Sequence, residues 1–258
     1  MKPIDTNKEK EKIVGFIAQT FKNAGFLDAV IGLSGGVDSA VSCVLATQAL
    51  EVDHIYPILL PCGVLSTQGV LDAMKLIEKL HIPFSHVTRI DIKPAVDMIV
   101  KSDPMMDRIR RGNIMARARM TYLFDQAKKH HALVVGTENK SEYLLGYYTR
   151  FGDEASDVEP LRHLYKTQVY ELAKTVHIPE EIIHRPPSAD LWPEQTDEGE
   201  LGFTYKEADE ILSMVRDGKK TLEEIINSGY KKETAEKVIQ RARQNDFKHR
   251  LPMALDML

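Results

Sequence analysis

Hydrophobic positions along the chain follow two alternating patterns, one typical of helices and one typical of buried strands. Ile13, Phe16, Ile17 and Phe21 are spaced as on one face of a helix, and Gly25 follows where a helix would stop. Short continuous apolar runs then alternate with further helical patterns. The predicted strands are "DAVIGL" (28–33), "HIYPILLP" (54–61), "FSHVTRIDI" (84–92) and "ALVVGT" (132–137), and the next predicted helices cover 39–50, 66–80, 94–101 and 109–131.

Strands that alternate with helices at this spacing predict an α/β fold, a doubly wound parallel sheet with helices on both faces. Long loops rich in Pro, Gly and acidic residues follow at 147–161 and 185–203, and extra C-terminal helices are expected over 205–245. We expect one domain over residues 1–258. Ligands of such sheets bind beyond the carboxyl ends of the strands, so the segments 34–39 and 137–142 are expected to share a site.

Composition and charge narrow the function classes. The net charge of −4 and the pI near 6.2 are unlike those of a dedicated nucleic-acid binder, so we expect no nucleic-acid partner. No apolar run has the length of a membrane span, and the N-terminus lacks a signal-peptide core, so no membrane partner is expected. The two cysteines form no CxxC pair, which argues against a disulfide framework or a cysteine-rich zinc site. A cytoplasmic protein is predicted.

The segment "SGGVDS" (34–39) carries the first chemical signal, because it lies between a buried strand and a helix. It matches neither the GxxxxGK[ST] loop nor GxGxxG. Its glycines remove the Cβ atoms that would keep an oxyanion from the backbone. Ser34 and Ser39 add hydroxyl donors, and Asp38 could hold Mg²⁺ against phosphates. Two glycines alone would indicate only a capped turn, but the full string in this position indicates a phosphate-binding loop.

This string resembles the PP-loop of the N-type ATP pyrophosphatases, whose fold is the adenine nucleotide alpha hydrolase-like one and which cleave ATP to AMP and pyrophosphate. The loop alone leaves open NAD synthetases, GMP, asparagine and argininosuccinate synthetases, and several tRNA-modifying enzymes. Four further segments together resemble ammonia-dependent NAD synthetase over nearly the whole chain. They are "RGNIMARARM" (111–120), "VVGTENKSE" (134–142), "GYYTRFGDEASDVEPL" (146–161) and "PPSADLWPEQTDEGELGFTY" (186–205).

The resemblance implies a ligase that activates deamido-NAD with ATP and lets ammonia displace AMP, with Mg²⁺ as the metal. Asp38 and Lys166 are the implied catalytic residues, and Asp38 and Glu142 the implied metal ligands. The implied ATP-binding residues are Gly32, Leu33, Ser34, Gly35, Gly36, Val37, Asp38, Ser39, Thr137, Lys166 and Ser188. The implied deamido-NAD-binding residues are Arg117, Arg150, Asp157 and Lys248.

Some positions depart from the family pattern or carry a second interpretation. Arg150 stands where many relatives have lysine, and Ser188 where they have threonine; both substitutions keep the charge or the hydroxyl group. Phe247 replaces a histidine that often precedes the position of Lys248. Five arginines cluster between 108 and 119; we assign Arg117 to ligand binding and expect the other four at the surface or at a subunit contact. Trp192 is expected to pack in the core.

The nitrogen source and the partners are also implied. We expect no glutaminase domain, because neither Cys43 nor Cys62 resembles an amidase nucleophile. Free ammonia is therefore the expected substrate, beside ATP and deamido-NAD, and the resemblance implies a homodimer. Two other hypotheses stay open: a different PP-loop enzyme, such as a tRNA-modifying or GMP-forming one, and a non-catalytic adenine-nucleotide sensor.

Overall fold

The structure, a computed structural model, describes residues 1–250. Its strands are β1 Asp28–Gly32, β2 Ile55–Leu59, β3 Thr88–Arg89 and β4 Ala132–Val135. Its helices are α1 Thr6–Ala24, α2 Val37–Leu50, α3 Thr67–Lys79, α4 Lys93–Val100, α5 Arg108–His130, α6 Lys140–Leu145, α7 Lys166–Thr175, α8 Glu180–Ile183, α9 Asp197–Leu201, α10 Tyr205–Arg216, α11 Leu222–Asn227 and α12 Lys232–Gln244. Within this described range no helix is both long and apolar enough to cross a membrane.

The four strands form one parallel sheet in the order β3-β2-β1-β4. Ala29 of β1 pairs with Ile55 of β2, and Asp28 pairs with Ala132 of β4 on the other side. The chain thus winds outward from β1 in one direction and then returns to its other edge. This reversal confirms the doubly wound topology and creates a crevice between the carboxyl ends of β1 and β4.

The third strand is much shorter than the predicted segment 84–92. Residues Phe84–His86 form a 3₁₀ turn, and only Thr88–Arg89 belong to the sheet. Beyond them, Ile90 donates to the carbonyl of Leu59 and Ile92 to that of Pro61, each at 2.9 Å. Because Pro61 has no N–H to return a hydrogen bond, the regular ladder cannot continue.

Helices cover both faces of the sheet, as predicted. On one face α1, α2 and α7 enclose the largest hydrophobic cluster, which contains Ile31 and Leu45. On the other face α5 packs over Val30 and Ile58, and α4 packs against α5 through Met115. The C-terminal helices α10, α11 and α12 form a further cluster with α6. The lysine that starts α7 therefore lies between the sheet and these C-terminal helices.

Candidate active site

The loop between β1 and α2 is a compact turn at the crevice. The hydroxyl oxygens of Ser34 and Ser39 are 3.0 Å apart, and Ser39 also donates to the carbonyl of Gly36 at 3.0 Å. Gly36 immediately precedes α2, and among the described residues no side chain caps this helix. The first amides of α2 can therefore donate to an anion, and the loop has the form of a phosphate-binding loop.

Two glycines let this loop and α3 approach each other closely. Gly35 has a φ of +79°, and a Cβ atom there would lie 2.2 Å from the carbonyl oxygen of Gly69. A Cβ atom on Gly69 would lie 2.3 Å from the carbonyl oxygen of Ser34. Only glycine fits at either position, so Gly35 shapes the loop from behind rather than lining the cavity.

A cavity of about 810 Å³ opens at the carboxyl ends of β1 and β4. Most of the residues that the sequence assigns to ATP, metal or catalysis line it, together with one assigned to deamido-NAD: Gly32, Leu33, Ser34, Gly36, Val37, Asp38, Ser39, Thr137, Glu142, Lys166, Ser188 and Lys248. Segments far apart in the chain therefore meet around one space, which is large enough for a nucleotide.

Lys166, the first residue of α7, lies between two carboxylates at the floor of this cavity. Its Nζ is 2.5 Å from Oδ2 of Asp38 and 3.1 Å from Oε1 of Glu142, and its side chain is only 3% exposed. Burial lowers the pKa of Lys166, but the two carboxylates outweigh burial and raise it well above its ordinary value. Burial raises the pKa of Glu142, with Lys166 opposing this effect. The lysine is thus held as a cation beside the phosphate-binding loop.

Side chains that the sequence did not single out fix this cluster. Asn139 caps α6 by accepting a hydrogen bond from the amide of Glu142, and it donates to Oδ1 of Asp38 at 2.9 Å. Asp209 of α10 is fully buried and accepts from the amide of Thr167 at 2.9 Å. The C-terminal helices therefore help to position Lys166 at the start of α7.

A third carboxylate, that of Asp197, also faces the cluster. It is buried, and it accepts hydrogen bonds from the hydroxyl groups of Tyr205 at 3.1 Å and Tyr147 at 3.3 Å. Tyr205 lies 3.5 Å from Glu142 as well. Around Lys166, three carboxyl groups therefore surround one ammonium group, which suits an additional cation beside a phosphate-bearing ligand.

The residues assigned to deamido-NAD lie in different places. Lys248 lines the cavity and donates to the carbonyls of Gly146 and Tyr148 at 2.6 and 2.8 Å. Outside the cavity lining, exposed Arg117 donates to the carbonyl of Arg150 at 3.2 Å, so these two arginines are neighbours. Asp157 is exposed and accepts from the amide of Val134 at 2.8 Å. Within a single chain, Arg117 and Arg150 are therefore neighbours, but neither lines the cavity.

Two expectations about the arginine cluster and Trp192 were wrong. Arg119 was expected at the surface, yet it lines the cavity and donates to the carbonyl of Leu60 at 3.2 Å, and burial lowers its pKa. Trp192 was expected in the core but is only half-buried, with the guanidinium of Arg108 5.2 Å from its ring centre. Both side chains lie where α5 meets the loop before α9, a contact that spacing along one helix cannot predict.

The family described as NAD synthase matches residues 9–252. The chain belongs to the NAD synthase family. An NH(3)-dependent NAD(+) synthetase of Fusobacterium nucleatum is 39% identical over 255 residues, which are 98% of each chain. One of Pyrococcus furiosus is 42% identical over 245 residues, covering 94% of this chain and 93% of the relative.

Solved structures of similar proteins have the same fold. An NMN synthetase from Francisella tularensis superposes with a TM-score of 0.85 at 33% identity, covering 99% of this chain and all of the other. An NH3-dependent NAD synthetase from Campylobacter jejuni superposes with a TM-score of 0.83 at 30% identity, covering 98% of this chain and all of the other. The fold class predicted from the sequence is therefore confirmed.

Behind Thr137, this member of the NAD synthase family buries a second charged cluster. Glu138 is 5% exposed, and its Oε2 lies 2.8 Å from Nε of Arg162. Glu159 accepts a hydrogen bond from the amide of Glu138 and pairs with the same arginine at 3.4 Å. Burial raises the pKa of Glu138 to about 9 and that of Glu159 to about 7, with Arg162 opposing both shifts. Two buried carboxyl groups thus share one partly exposed cation.

This pair is expected to make stability fall as the pH rises. Both carboxyl groups titrate near 4.5 in the unfolded chain. The folded protein therefore binds more protons between about pH 5 and pH 9 and loses stability as they dissociate. Glu138→Gln should remove part of this loss, so its melting temperature relative to the wild type should increase with pH. Thermal unfolding followed by circular dichroism tests this, with exposed Glu171→Gln as the control; parallel curves for wild type and Glu138→Gln would contradict it.

Proposed function

We propose that the protein is an ammonia-dependent NAD synthetase, which forms NAD, AMP and pyrophosphate from deamido-NAD, ATP and ammonia. The observation that carries the proposal is the position of Lys166 between Asp38 and Glu142, directly beside the phosphate-binding loop. A nucleotide sensor would need the loop but not this buried charge cluster. A tRNA-modifying enzyme would be expected to carry a basic RNA-binding surface, whereas this chain has a net charge of −4.

The reaction requires activation of a carboxylate, because hydroxide is a poor leaving group for attack by ammonia. In the first step a nicotinate oxygen of deamido-NAD forms a bond to the α-phosphorus of ATP, and the bond to pyrophosphate breaks. Ammonia then adds to the acyl carbon and loses a proton, and the acyl–oxygen bond breaks to release AMP. The protein's main task is therefore to neutralise phosphate charge and to align the reactants.

The residues present fit Mg²⁺ at Asp38 and Glu142. Both supply the hard oxygen ligands that Mg²⁺ prefers, and they already hold one cation, the ammonium group of Lys166, between them. A bound Mg²⁺ would neutralise charge on the phosphates of ATP. Among residues 1–250 no group of three His, Cys, Asp or Glu side chains has metal-binding geometry.

The proposed ATP site follows the lining of the cavity. Residues 34–39 would bind the pyrophosphate end through the amides of α2. Lys166 would neutralise the charge that develops on the bridging oxygen, and Thr137 and Ser188, which also line the cavity, would contact ATP. The apolar side chains of Ile58 and Leu123 also line the cavity and would pack against the adenine ring.

We place the deamido-NAD site at a subunit interface. Arg117 lies on the exposed side of α5, the helix that also exposes the apolar side chains of Ile109 and Phe124. A homodimer packed through this side would bury these groups and bring Arg117 and Arg150 to a substrate beside Lys248. We also place the protein in the cytoplasm, where its two buried cysteines would stay reduced.

The interface proposal predicts that the protein is a dimer and that a substitution at Arg117 weakens the binding of deamido-NAD but not of ATP. Arg117→Ala is expected to raise the KM for deamido-NAD by about tenfold or more, because it removes a charged contact to substrate. The KM for ATP should stay close to that of the wild type. Steady-state kinetics measures both constants, with exposed Arg243→Ala as the control. Sedimentation at micromolar concentration should give a dimer; a clean monomer there would refute the interface.

A coupled assay tests the function as a whole. Purified protein receives ATP, Mg²⁺, deamido-NAD and ammonium, and NAD and AMP are measured separately. Equal amounts of both products, formed only with all four components, are expected, and glutamine should not replace ammonium. Because a solved relative is an NMN synthetase, nicotinate mononucleotide is offered in a parallel reaction. Faster turnover of the mononucleotide would refute deamido-NAD as the substrate. Absence of any product would refute the proposed reaction.

A further inference from the structure

Arg185 is a charged residue of the cavity to which the chemistry above gives no task. It precedes the segment 186–196, named here the Pro-rich wall, which forms one side of the cavity. Its guanidinium pairs with Asp190 of the wall at 2.6 Å and with Asp72 of α3 at 3.5 Å. The side chains of Arg185 and Asp72 are 19% and 4% exposed, so this is not a surface ion pair. One arginine therefore bridges two separate elements of the cavity.

On the side of α3, the bridge reaches the phosphate-binding loop. Asp72 is held by a hydrogen bond from Nε2 of Gln68 at 2.8 Å. One turn earlier lies Gly69, the residue that contacts the backbone of Ser34. Nη1 of Arg185 lies 3.1 Å from the position that a Cβ atom on Gly69 would take. Arg185 thus packs at the point where α3, the phosphate-binding loop and the wall meet.

On the side of the wall, the bridge reaches a residue of the proposed ATP site. The amide of Asp190 donates to the hydroxyl oxygen of Ser188 at 3.1 Å. Asp190 itself has a φ of +49°, a left-handed conformation that is unfavourable for a residue other than glycine. The ion pair with Arg185 stabilises this turn, and the turn directs Ser188 toward the cavity.

We propose that Arg185 is a positioning residue that holds the Pro-rich wall closed against α3 and thereby sets the affinity for ATP. The inference rests on the proposal that ATP occupies this cavity. Arg185 acts through Ser188 and the phosphate-binding loop, and takes no part in bond formation. Loss of the bridge should consequently weaken ATP binding while the chemical step stays nearly unchanged.

The Pro-rich wall contains a residue whose fluorescence can report the position of the wall. Trp192 is the only tryptophan of the chain, and it lies half-buried beside Arg108 and Gly112 of α5. If the wall opens, this ring moves into solvent. Quenching of its fluorescence by acrylamide therefore measures the position of the wall without a label and without any need for turnover.

The test compares Arg185→Gln and Asp72→Asn with the wild type, and uses Lys237→Gln as the control because Lys237 of α12 forms an exposed ion pair with Glu233. In both test variants the KM for ATP should rise about tenfold, as expected when a contact residue is displaced. Changes in kcat and in the KM for deamido-NAD should stay within about threefold. Acrylamide quenching of Trp192 should increase in both test variants. The KM for ATP of the double variant should be no higher than that of either single variant, and Arg185→Lys should restore part of the lost affinity for ATP.

Two results would overturn the inference. One is unchanged quenching of Trp192 in Arg185→Gln and Asp72→Asn. The other is a uniform loss, in which kcat falls and both KM values stay constant, because an ion pair that only stabilises the fold would reduce the fraction of active protein. The fluorescence measurement also separates this inference from the proposed function. It reports on the wall even if the wild type forms no NAD.

Discussion

Asp38→Asn is expected to lower kcat/KM by about 10³-fold or more, since it removes a charged oxygen donor from the centre of the site. Asp38 contacts Lys166 through one oxygen and Asn139 through the other. An asparagine keeps the size but loses the charge, and its amide nitrogen must face one of these two donors. The fold should survive, because Glu142 still pairs with the lysine.

The measurement is a steady-state assay at several Mg²⁺ concentrations, with circular dichroism to confirm folding. If Asp38 is a metal ligand, the concentration of Mg²⁺ needed for half-maximal rate should also rise. Exposed Asp53→Asn is a matched control that changes the same charge on the surface. A nearly normal kcat/KM in Asp38→Asn would remove Asp38 from both the metal site and the catalytic site.

Lys166→Met is expected to abolish measurable turnover and to destabilise the protein as well. The side chain is 3% exposed and lies between two carboxylates, so a neutral replacement leaves them unpaired. Breaking a buried ion pair by removing one partner costs about 3 kcal/mol or more. Part of that cost should be relieved by protonation, because the pKa of Glu142 loses the opposing effect of Lys166 and rises further.

Urea denaturation at several pH values tests this prediction. The free energy of unfolding of Lys166→Met should fall further below that of the wild type as the pH rises, since Glu142, whose pKa is raised by burial, then becomes charged without its partner. Lys174→Met, an exposed substitution on the same helix, should change neither stability nor turnover. An equal loss at all pH values would indicate a packing defect rather than lost charge pairing. Turnover within tenfold of the wild type would exclude a catalytic role.

Much of the fold could be predicted from the sequence because its signals are local. The apolar runs and their helical partners define the parallel sheet, and the glycines of 34–39 mark the turn after β1. The length of the third strand was overestimated from the sequence. The alternation of hydrophobic residues continues beyond the residues whose backbone pairs with the neighbouring strand. Thr88–Arg89 is a short edge strand, and Pro61 opposite its continuation cannot donate a hydrogen bond.

The site residues that belong to a recognisable sequence motif could be predicted. Those that reach the site only through contacts between distant segments could not. Asp38, Glu142 and Lys166 stand in recognisable segments, and the structure brings them within hydrogen-bonding distance. Asp209 and Arg185 have no such signal. Each acts on the site through a partner from another part of the chain, and a charged residue on a helix or before a proline is most often solvated.

The pairing of Lys166 with Asp38 and Glu142 has a consequence for the order in which ligands arrive. The ammonium group is a tethered counterion, so the charge of the two carboxylates is already partly neutralised before any substrate enters. A free divalent ion must compete with a cation that cannot diffuse away. A divalent ion that enters bound to the nucleotide arrives together with phosphate groups. These phosphates can then pair with the ammonium group of Lys166 in place of the carboxylates. Metal and nucleotide are therefore expected to bind together as one complex, and the enzyme without nucleotide is expected to bind the metal more weakly.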